Sequence, residues 1–382
     1  MENIYLRSRI SFGKEALERL KALPYRKVLI VTDAFIAQGE MLAMITAPLQ
    51  EAGITFRVFD RVKPDPPLPT IVEGVAVYLE YEPEAVVMVG GGSAIDTGKA
   101  IKYVVMRMLP GKEIPMIAIP TTSGTGSEVT SYSVISDPAN DRKFAVVDDA
   151  LMPDEAILDV RLVKSVPPAV TADTGMDVFT HALESYVSTA ASPYTDALAE
   201  KSAALVSQFL IRSFHNNEDE HAREKMHDAS CLAGMAFNTA SLGLNHAMAH
   251  QLGAVFHVPH GRANAMLLTH VITFNTGIDQ FANSRQSCNP CVGKYVDMCK
   301  NLGLSVATDA MAIRSLNFFI EYMLRELEIP KSISEYGRIP VGEYFNNIDL
   351  MTDMALKDST LRTNPTPVTF DDVKGIFVRL WG

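Results

Sequence analysis

An apolar stretch in the second half of the chain holds a concentration of imidazoles. The segment NHAMAHQLGAVFHVPHGRANAM, residues 245–266, contains His246, His250, His257 and His260 among Ala, Leu, Val, Met and Gly. Burying an imidazole without a partner costs about 1 to 3 kcal/mol, and a metal ion would be the simplest shared partner for several of them. The alternative is that each is an ordinary core histidine with its own hydrogen bond.

Two further candidate ligands lie upstream, in the segment TGMDVFTHALESY. Asp177 and His181 are four residues apart, so on a helix their side chains project from the same face. His246 and His250 repeat this spacing, and His260 follows in VPHG, where Pro and Gly predict a sharp turn. A carboxylate with three imidazoles suits Fe(II) or Zn(II) and leaves room for a substrate oxygen.

The other histidines carry weaker signals. His257 lies three residues before His260, and spacing alone leaves it open as a ligand. His215, His221 and His227 lie in a charged stretch, so we expect them to be solvated.

Three polar features follow predicted strands, which is where open α/β sheets bind ligands. Asp33 ends VLIVTD, and its carboxylate can accept the ribose hydroxyls of an adenine dinucleotide or simply cap a helix. Residues 90–100, GGGSAIDTGKA, place glycines at a helix start and would let a pyrophosphate approach, although Ile95 replaces the third glycine of the usual fingerprint. Residues 120–130, PTTSGTGSEVT, offer hydroxyls and backbone N–H groups. A tight turn and a solvated loop are the alternatives.

The elements that must position these residues differ between the two halves of the chain. Strands are predicted at 27–33, 55–62, 85–93 and 115–123, with helical patterns such as 70–82 between them. This alternation predicts a parallel α/β sheet covered on both faces. After residues 166–170 the sequence becomes long, Ala-, Met- and Leu-rich helical stretches. We therefore predict an α/β dinucleotide-binding domain at 1–168 and a helical metal- and substrate-binding domain at 169–382.

Composition narrows the class of protein. The chain has 382 residues and a net charge of −11, which argues against nucleic acid or an anionic membrane as partner and for small molecules. The N-terminus lacks the pattern of a secretory signal, and no long apolar run is present, so a cytoplasmic location is expected. Cys288, Cys291 and Cys299 lack a second pair at zinc-binding spacing and are interpreted as ordinary thiols.

Four motifs together resemble those of a known family. GGGSAIDTGKA, IPTTSGTGSEVT, TGMDVFTHALESYVS and GLNHAMAHQLGAVFHVPHGRANAMLL resemble, in order and spacing, the signatures of the iron-dependent (group III) alcohol dehydrogenases. The likeness is strongest to the propanol and ethanol dehydrogenases of diol- and ethanolamine-utilising microcompartments. It implies an α/β N-terminal nucleotide-binding domain and an all-α C-terminal metal-binding domain, the dehydroquinate synthase-like fold, with metal and nicotinamide in the cleft between them.

The resemblance also implies roles for individual residues. The implied metal ligands are Asp177, His181, His246 and His260, with His250 as a catalytic non-ligand beside the substrate and His257 outside the set. Asp33 would favour NAD(H) over NADP(H), and Gly92 and Ser93 would hold the pyrophosphate. The other implied cofactor-binding positions are Asp65, Gly91, Asp96, Thr121, Thr122, Thr125, Val134 and Lys143.

Two positions depart from the family pattern. Asp65 stands where the family often has Asn, which weakens the case for that cofactor contact. Thr360 stands where some relatives carry a pocket Cys, so substrate preference does not transfer.

The function we predict is reversible hydride transfer between NAD(H) and a small primary alcohol or its aldehyde. Fe(II) or Zn(II) would bind the substrate oxygen as a Lewis acid, and His250 would relay the proton to solvent. One alternative is another enzyme of this fold, such as a zinc-dependent polyol dehydrogenase acting on glycerol or propanediol, or a dehydroquinate synthase-like lyase. A non-catalytic NAD-binding assembly protein is the more distant alternative. The family leads us to expect a homodimer or larger homo-oligomer and allows association with a microcompartment.

Overall fold

The computed structural model describes residues 4–139, 142–278 and 289–382. The chain divides into two compact units, the first ending at Val166 and the second beginning at Pro167. The first unit alternates strands and helices, and the described part of the second contains helices and no strands. The predicted fold class is therefore confirmed.

The first unit is organised around a parallel sheet. Its strands are β1 (Arg9–Phe12), β2 (Lys27–Asp33), β3 (Thr55–Val62), β4 (Ala85–Gly90), β5 (Met116–Pro120), β6 (Tyr132–Asp137), β7 (Arg142–Val147) and β8 (Glu155–Leu158). Six of them form one sheet in the order β1-β8-β5-β4-β2-β3, with every neighbouring pair parallel. The other two, β6 and β7, pair with each other as an antiparallel hairpin.

Helices cover both faces of this sheet. They are α1 (Ala34–Gln38), α2 (Glu40–Glu51), α3 (Leu68–Tyr81) and α4 (Gly92–Met108). Successive residues of a strand point to opposite faces: on β2, Leu29 and Val31 join the apolar core beneath α3 and α4, whereas Val28 and Ile30 join the core beneath α2. Burial on both faces explains why the central strands read as continuous apolar runs.

The second unit is built from ten helices in its described part. They are α5 (Pro168–Val187), α6 (Pro193–His215), α7 (Glu220–Ala240), α8 (Leu244–Phe256), α9 (His260–Thr276), α10 (Cys291–Asn301), α11 (Asp309–Glu326), α12 (Ile333–Tyr336), α13 (Val341–Lys357) and α14 (Phe370–Leu380). The central helix is α5, which packs against α6, α7 and α9 and is buried along most of its length. No helix in the described ranges combines the length and the apolar character that a membrane span requires.

Candidate metal centre and cofactor loops

Two of the predicted ligands lie one turn apart on α5. The helix begins after Pro167 with Pro168 at its first position, where proline costs no hydrogen bond because that N–H has no helical partner. Asp177 and His181 follow in the middle of the helix, 3% and 4% exposed. The polar pair therefore sits inside the core of the second unit.

The other histidines come from a helix–turn–helix. On α8 lie His246 and His250, and the helix ends at His257, whose φ of 55° is left-handed. Pro259 then caps α9, which begins with His260. The left-handed residue and the proline reverse the chain, so His260 returns to the level of His246, with ring centroids 5.2 Å apart.

Four side chains converge on one point. Asp177, His181, His246 and His260 each offer a ligand atom, and these atoms all lie within 4.8 Å of one another. The Asp177 Oδ1 atom is 3.9, 3.6 and 3.5 Å from the Nε2 atoms of His181, His246 and His260. Four ligands bound at about 2.1 Å around one tetrahedral ion lie roughly 3.4 Å apart. The donor types and their separations thus fit a divalent metal ion.

The charges in this cluster are strongly coupled. Burial raises the pKa of Asp177, but the imidazoles of His181, His260 and His246 outweigh it and hold that pKa well below its usual range. Burial likewise lowers the pKa of His246, but Glu184 and Asp177 outweigh it and raise the pKa to about 9. The metal-free cluster is therefore an ion pair at neutral pH, and an incoming metal must displace a proton.

A layer of polar side chains around the cluster was not predicted from the sequence. Glu184, three residues after His181 on α5, bonds through Oε2 to His246 Nδ1. Asn264, four residues after His260 on α9, donates to Asp177 Oδ1 at 2.7 Å. The i, i+3 and i, i+4 spacings that identified the ligands also connect these residues to them, so a signal was present.

His250 lies beside the cluster and outside it. Its ring stacks on that of His260, with centroids 5.3 Å apart and an interplanar angle of 16°. The Nδ1 atom is 2.7 Å from Asp358 Oδ2, and Asp358 Oδ1 accepts hydrogen bonds from the N–H and hydroxyl of Thr360 at 3.0 and 2.8 Å. Burial raises the pKa of Asp358, but the hydrogen bond from His250 outweighs it and lowers that pKa.

The remaining histidines lie elsewhere. His257 is exposed and is not part of the cluster. His215 and His221 are exposed as predicted, but the prediction for His227 was wrong, because it is 2% exposed. It lies on the buried face of α7, one residue after Met226 and one turn after Arg223, a charged residue that is buried as well.

None of the three cysteines within the described ranges belongs to the cluster. Cys231, Cys291 and Cys299 are buried free thiols, and burial raises the pKa of Cys291 to about 11 and that of Cys299 to about 12. Cys288 lies outside the described residues.

In the first unit, the glycine-rich turn and the Ser/Thr loop touch each other. A Cβ on Gly91 would lie 3.2 Å from Thr122 Oγ1, and one on Gly92 would lie 2.8 Å from Thr125 Cγ2. Gly90 has a φ of 147°, and a Cβ there would lie 3.8 Å from Asp33 Oδ2. The carboxyl ends of β2, β4 and β5 thus bring these predicted cofactor residues together at one edge of the sheet.

Some of these residues already use polar groups of their side chain or backbone within the fold. Asp33 caps α1 by accepting the Ile36 N–H at 3.0 Å. The Thr121 N–H donates to Gly90 O at 3.0 Å, and the carbonyl of Ser93 accepts the Thr97 hydroxyl at 2.7 Å. Asp33 therefore caps a helix in the fold, and this role is independent of its predicted contact with the cofactor.

A buried lysine that the sequence did not single out anchors the Ser/Thr loop. Lys99 on α4 is fully buried and donates to Ser127 Oγ, Thr130 O and Tyr132 O at 3.0, 2.7 and 2.8 Å. Asp96, one turn earlier, accepts the Ser127 hydroxyl at 2.6 Å. Burial lowers the pKa of Lys99 to about 8.

The last predicted cofactor residues lie on or beside the hairpin. Val134 on β6 donates its N–H to Asp96 Oδ2 at 3.0 Å. Asp65 is exposed with a left-handed φ of 48°, and its carbonyl accepts the Ser136 hydroxyl at 2.6 Å. The backbone of Lys143 lies on β7 opposite Ser136, and its side chain lies outside the described residues.

Comparison with known proteins places this arrangement in a family. A model of iron-containing alcohol dehydrogenases matches residues 7–160, and a model of the C-terminal part of the Fe-containing alcohol dehydrogenase family matches residues 171–381. The 1-propanol dehydrogenase PduQ of Salmonella typhimurium is 43% identical over 100% of both chains. The NADPH-dependent butanol dehydrogenase of Clostridium saccharobutylicum is 36% identical over 96% of this chain and 95% of the relative.

Solved structures agree with the sequence relatives. A 1,3-propanediol oxidoreductase has a TM-score of 0.89 at 32% identity, and an alcohol dehydrogenase from Oenococcus oeni has a TM-score of 0.90 at 31% identity, each covering 100% of both chains. The matching family models and relatives define the class of protein, a metal-dependent oxidoreductase with a nucleotide cofactor. The chain belongs to the iron-containing alcohol dehydrogenase family, which confirms the resemblance noted in the sequence. It is a nicotinamide-dependent enzyme that interconverts alcohols and aldehydes.

Proposed function

We propose that this enzyme interconverts 1-propanol and propionaldehyde, or ethanol and acetaldehyde, with NAD(H). The observation that carries the substrate assignment is the 43% identity, over the whole chain, to a 1-propanol dehydrogenase. In this proposal the first unit binds the dinucleotide and the second binds the metal and the substrate.

Four residues of the second unit would hold the metal ion, Fe(II) or Zn(II): Asp177, His181, His246 and His260. Their support is the convergence of one carboxylate and three imidazoles within 4.8 Å. When bound, such an ion supplies a Lewis acid that lowers the pKa of a substrate hydroxyl. Since Asp177 stays ionised and His246 carries a proton at neutral pH in the metal-free state, the protein offers a preformed anionic ligand and gives up a proton from His246.

We assign to His250 the transfer of the alcohol's proton to solvent. Its side chain is 33% exposed, against 2% for His246, so it lies where the cluster opens to solvent. Asp358 holds the Nδ1 atom, which leaves Nε2 as the nitrogen that exchanges a proton. Thr360 donates two hydrogen bonds that position Asp358, and Asp358 in turn positions the ring of His250.

The dinucleotide would bind at the carboxyl ends of β2, β4 and β5. Gly91, Gly92 and Ser93 lie at the start of α4, where free N–H groups and the helix dipole attract a pyrophosphate. Asp33 would accept the ribose hydroxyls and disfavour a 2′-phosphate. Since one relative is an NADPH-dependent butanol dehydrogenase, the test of this assignment is a comparison of NADH with NADPH. Asp33→Ala should bring the kcat/KM values for NADH and NADPH closer together.

The decisive experiment is NADH oxidation with propionaldehyde by protein stripped of metal and reloaded anaerobically with Fe(II) or Zn(II). Activity restored by Fe(II) supports metal, cofactor and reaction class together. A metal-loaded protein that binds NADH and yet reduces no aldehyde would contradict the proposal.

A second candidate function, that of a polyol dehydrogenase, is favoured by the structural similarity to a 1,3-propanediol oxidoreductase. Comparing 1-propanol with 1,3-propanediol and glycerol separates the two.

We also infer a cytoplasmic location, association with a microcompartment and a homodimeric or larger assembly. These three inferences follow from the family resemblance. Light scattering of the purified protein tests the assembly, and co-purification with isolated shells tests the association.

A further inference from the structure

Glu184 is a carboxylate buried in the core of the second unit. It is 5% exposed on α5, and no Lys or Arg in the described part of the chain forms an ion pair with it. Burying an ionised carboxylate is costly unless its oxygens are hydrogen-bonded. The two oxygens of Glu184 have separate tasks, both of them on α8.

One oxygen caps the helix that carries two of the site histidines. Oε1 accepts the N–H of Asn245 at 2.7 Å, in the first turn of α8, where the helix dipole favours a negative charge. The neighbouring N–H, from Leu244, is accepted by Asn364 Oδ1 at 3.1 Å. A Cβ on Gly243 would lie 2.9 Å from both acceptors, so glycine is needed at this cap to let them approach.

The other oxygen acts on a predicted ligand. Oε2 bonds to Nδ1 of His246, and Nε2 of the same ring lies 3.6 Å from Asp177 Oδ1 within the cluster. A carboxylate only accepts hydrogen bonds, so the proton must sit on Nδ1. The lone pair of the neutral ring is then on Nε2, which is the tautomer that a metal ligand requires.

We infer that Glu184 is a positioning residue for metal binding, which selects the Nδ1–H tautomer of His246 and aims its Nε2 atom at the metal. This inference rests on the proposed function, since it assigns the metal to the cluster. A glutamine tests it directly, because an amide has one acceptor and one donor. If its oxygen keeps the Asn245 N–H, its NH₂ group faces Nδ1 and drives the proton onto Nε2, where the ligand lone pair is needed.

The experiment compares Glu184→Gln with wild type by competition for Zn(II) against a chromogenic chelator. Loss of the hydrogen-bond partner of a ligand histidine typically weakens metal affinity about 10- to 100-fold, and we expect a loss in that range. The melting temperature of the metal-free variant should stay near that of wild type. Asn364→Ala is the matched control: it removes the other cap of α8, makes no hydrogen bond to His246, and should lower the melting temperature without changing the Zn(II) affinity.

A spectroscopic measurement separates a positioning role from a purely structural one. In Zn(II)-loaded protein labelled with 15N-histidine, wild-type His246 should show a protonated Nδ1, and the spectrum of Glu184→Gln should lose that signature. Equal Zn(II) affinities, or an unchanged His246 tautomer, would overturn the inference alone. Failure of the wild type to bind Zn(II) would overturn the proposed function and the inference together.

Discussion

The contact between α5 and α9 makes a sharp prediction at Gly261, next to the ligand His260. A Cβ on this residue would lie 2.0 Å from the carbonyl oxygen of Asp173 and 3.2 Å from Asp177 Cβ. An ordinary Cβ contact begins at 3.4 Å, so Gly261→Ala must push the start of α9 off α5 by roughly 1.4 Å. The closest atom belongs to the backbone, and no side-chain rotation relieves the contact.

The magnitude follows from this displacement. Overpacking of this kind costs about 1–3 kcal/mol, and in a domain of about 200 residues each kcal/mol lowers the melting temperature by about 2–4 °C. His260 moves with its helix and leaves Asp177 on α5, so Zn(II) affinity should fall by at least tenfold, on the scale that about 1 Å of misplacement costs an active site.

The assays are thermal unfolding of the metal-free protein and Zn(II) competition with a chelator. Gly293→Ala is the matched control, because Gly293 lies exposed on α10 and its Cβ would meet nothing within 4 Å. That substitution should stabilise the helix by up to about 1 kcal/mol and leave the metal affinity unchanged. A Gly261→Ala protein with wild-type affinity and melting temperature would refute the role of this contact.

Three further predictions concern single groups. His250→Phe should lower kcat at least tenfold while metal content measured by atomic emission stays near wild type; loss of the metal would instead make His250 a ligand. Lys99→Met should raise the KM for NADH roughly tenfold, since a charge-assisted hydrogen bond is worth about 1.5–3 kcal/mol. The control is Lys102→Met, on the same helix but without a hydrogen bond to the Ser/Thr loop, and it should leave the KM for NADH unchanged. Equal KM values for the two variants would contradict the role of Lys99. Finally, the folded-state pKa of His246, about 9, is raised above its usual value. The stability it contributes to the metal-free protein is therefore fully present below about pH 6.5 and is lost as the pH rises through about 9. Melting temperatures in a chelating buffer should fall between pH 7 and 9.5, and a flat profile would contradict the His246–Glu184–Asp177 coupling.

Local patterns predicted much of the fold. Two predicted strands coincide residue for residue with β2 and β3, and the helix predicted at 70–82 is α3, Leu68–Tyr81. Buried parallel strands appear as short apolar runs, and amphipathic helices appear as apolar residues spaced three or four apart, so both can be recognised in the sequence. The short strands β1 and β8 were not predicted. They pair across some 145 residues, as in Arg9 with Glu155, and four-residue segments carry too little pattern to be recognised.

The candidate site divides in the same way. The i, i+4 spacing and the apolar setting pointed to Asp177, His181, His246 and His250 as candidate ligands. The family resemblance then set His250 aside and separated His257 from His260. Those assignments stay predictions until a metal is bound. The prediction for His227 was wrong because it rested on the charged composition of the stretch, and a helix of such composition can still bury one face.

The sequence by itself determined the fold class, the helices that carry the histidines and the chemistry those residue types favour, because each of these depends on neighbours within a few turns of the chain. Only the tertiary structure decided which groups complete the site. Glu184 meets His246 across 62 residues and Asp358 meets His250 across 108, and α9 approaches α5 closely because Gly261 has no side chain. Such contacts depend on how helices pack against one another, and the period of a single helix says which face is buried but not which residue of another helix it will meet.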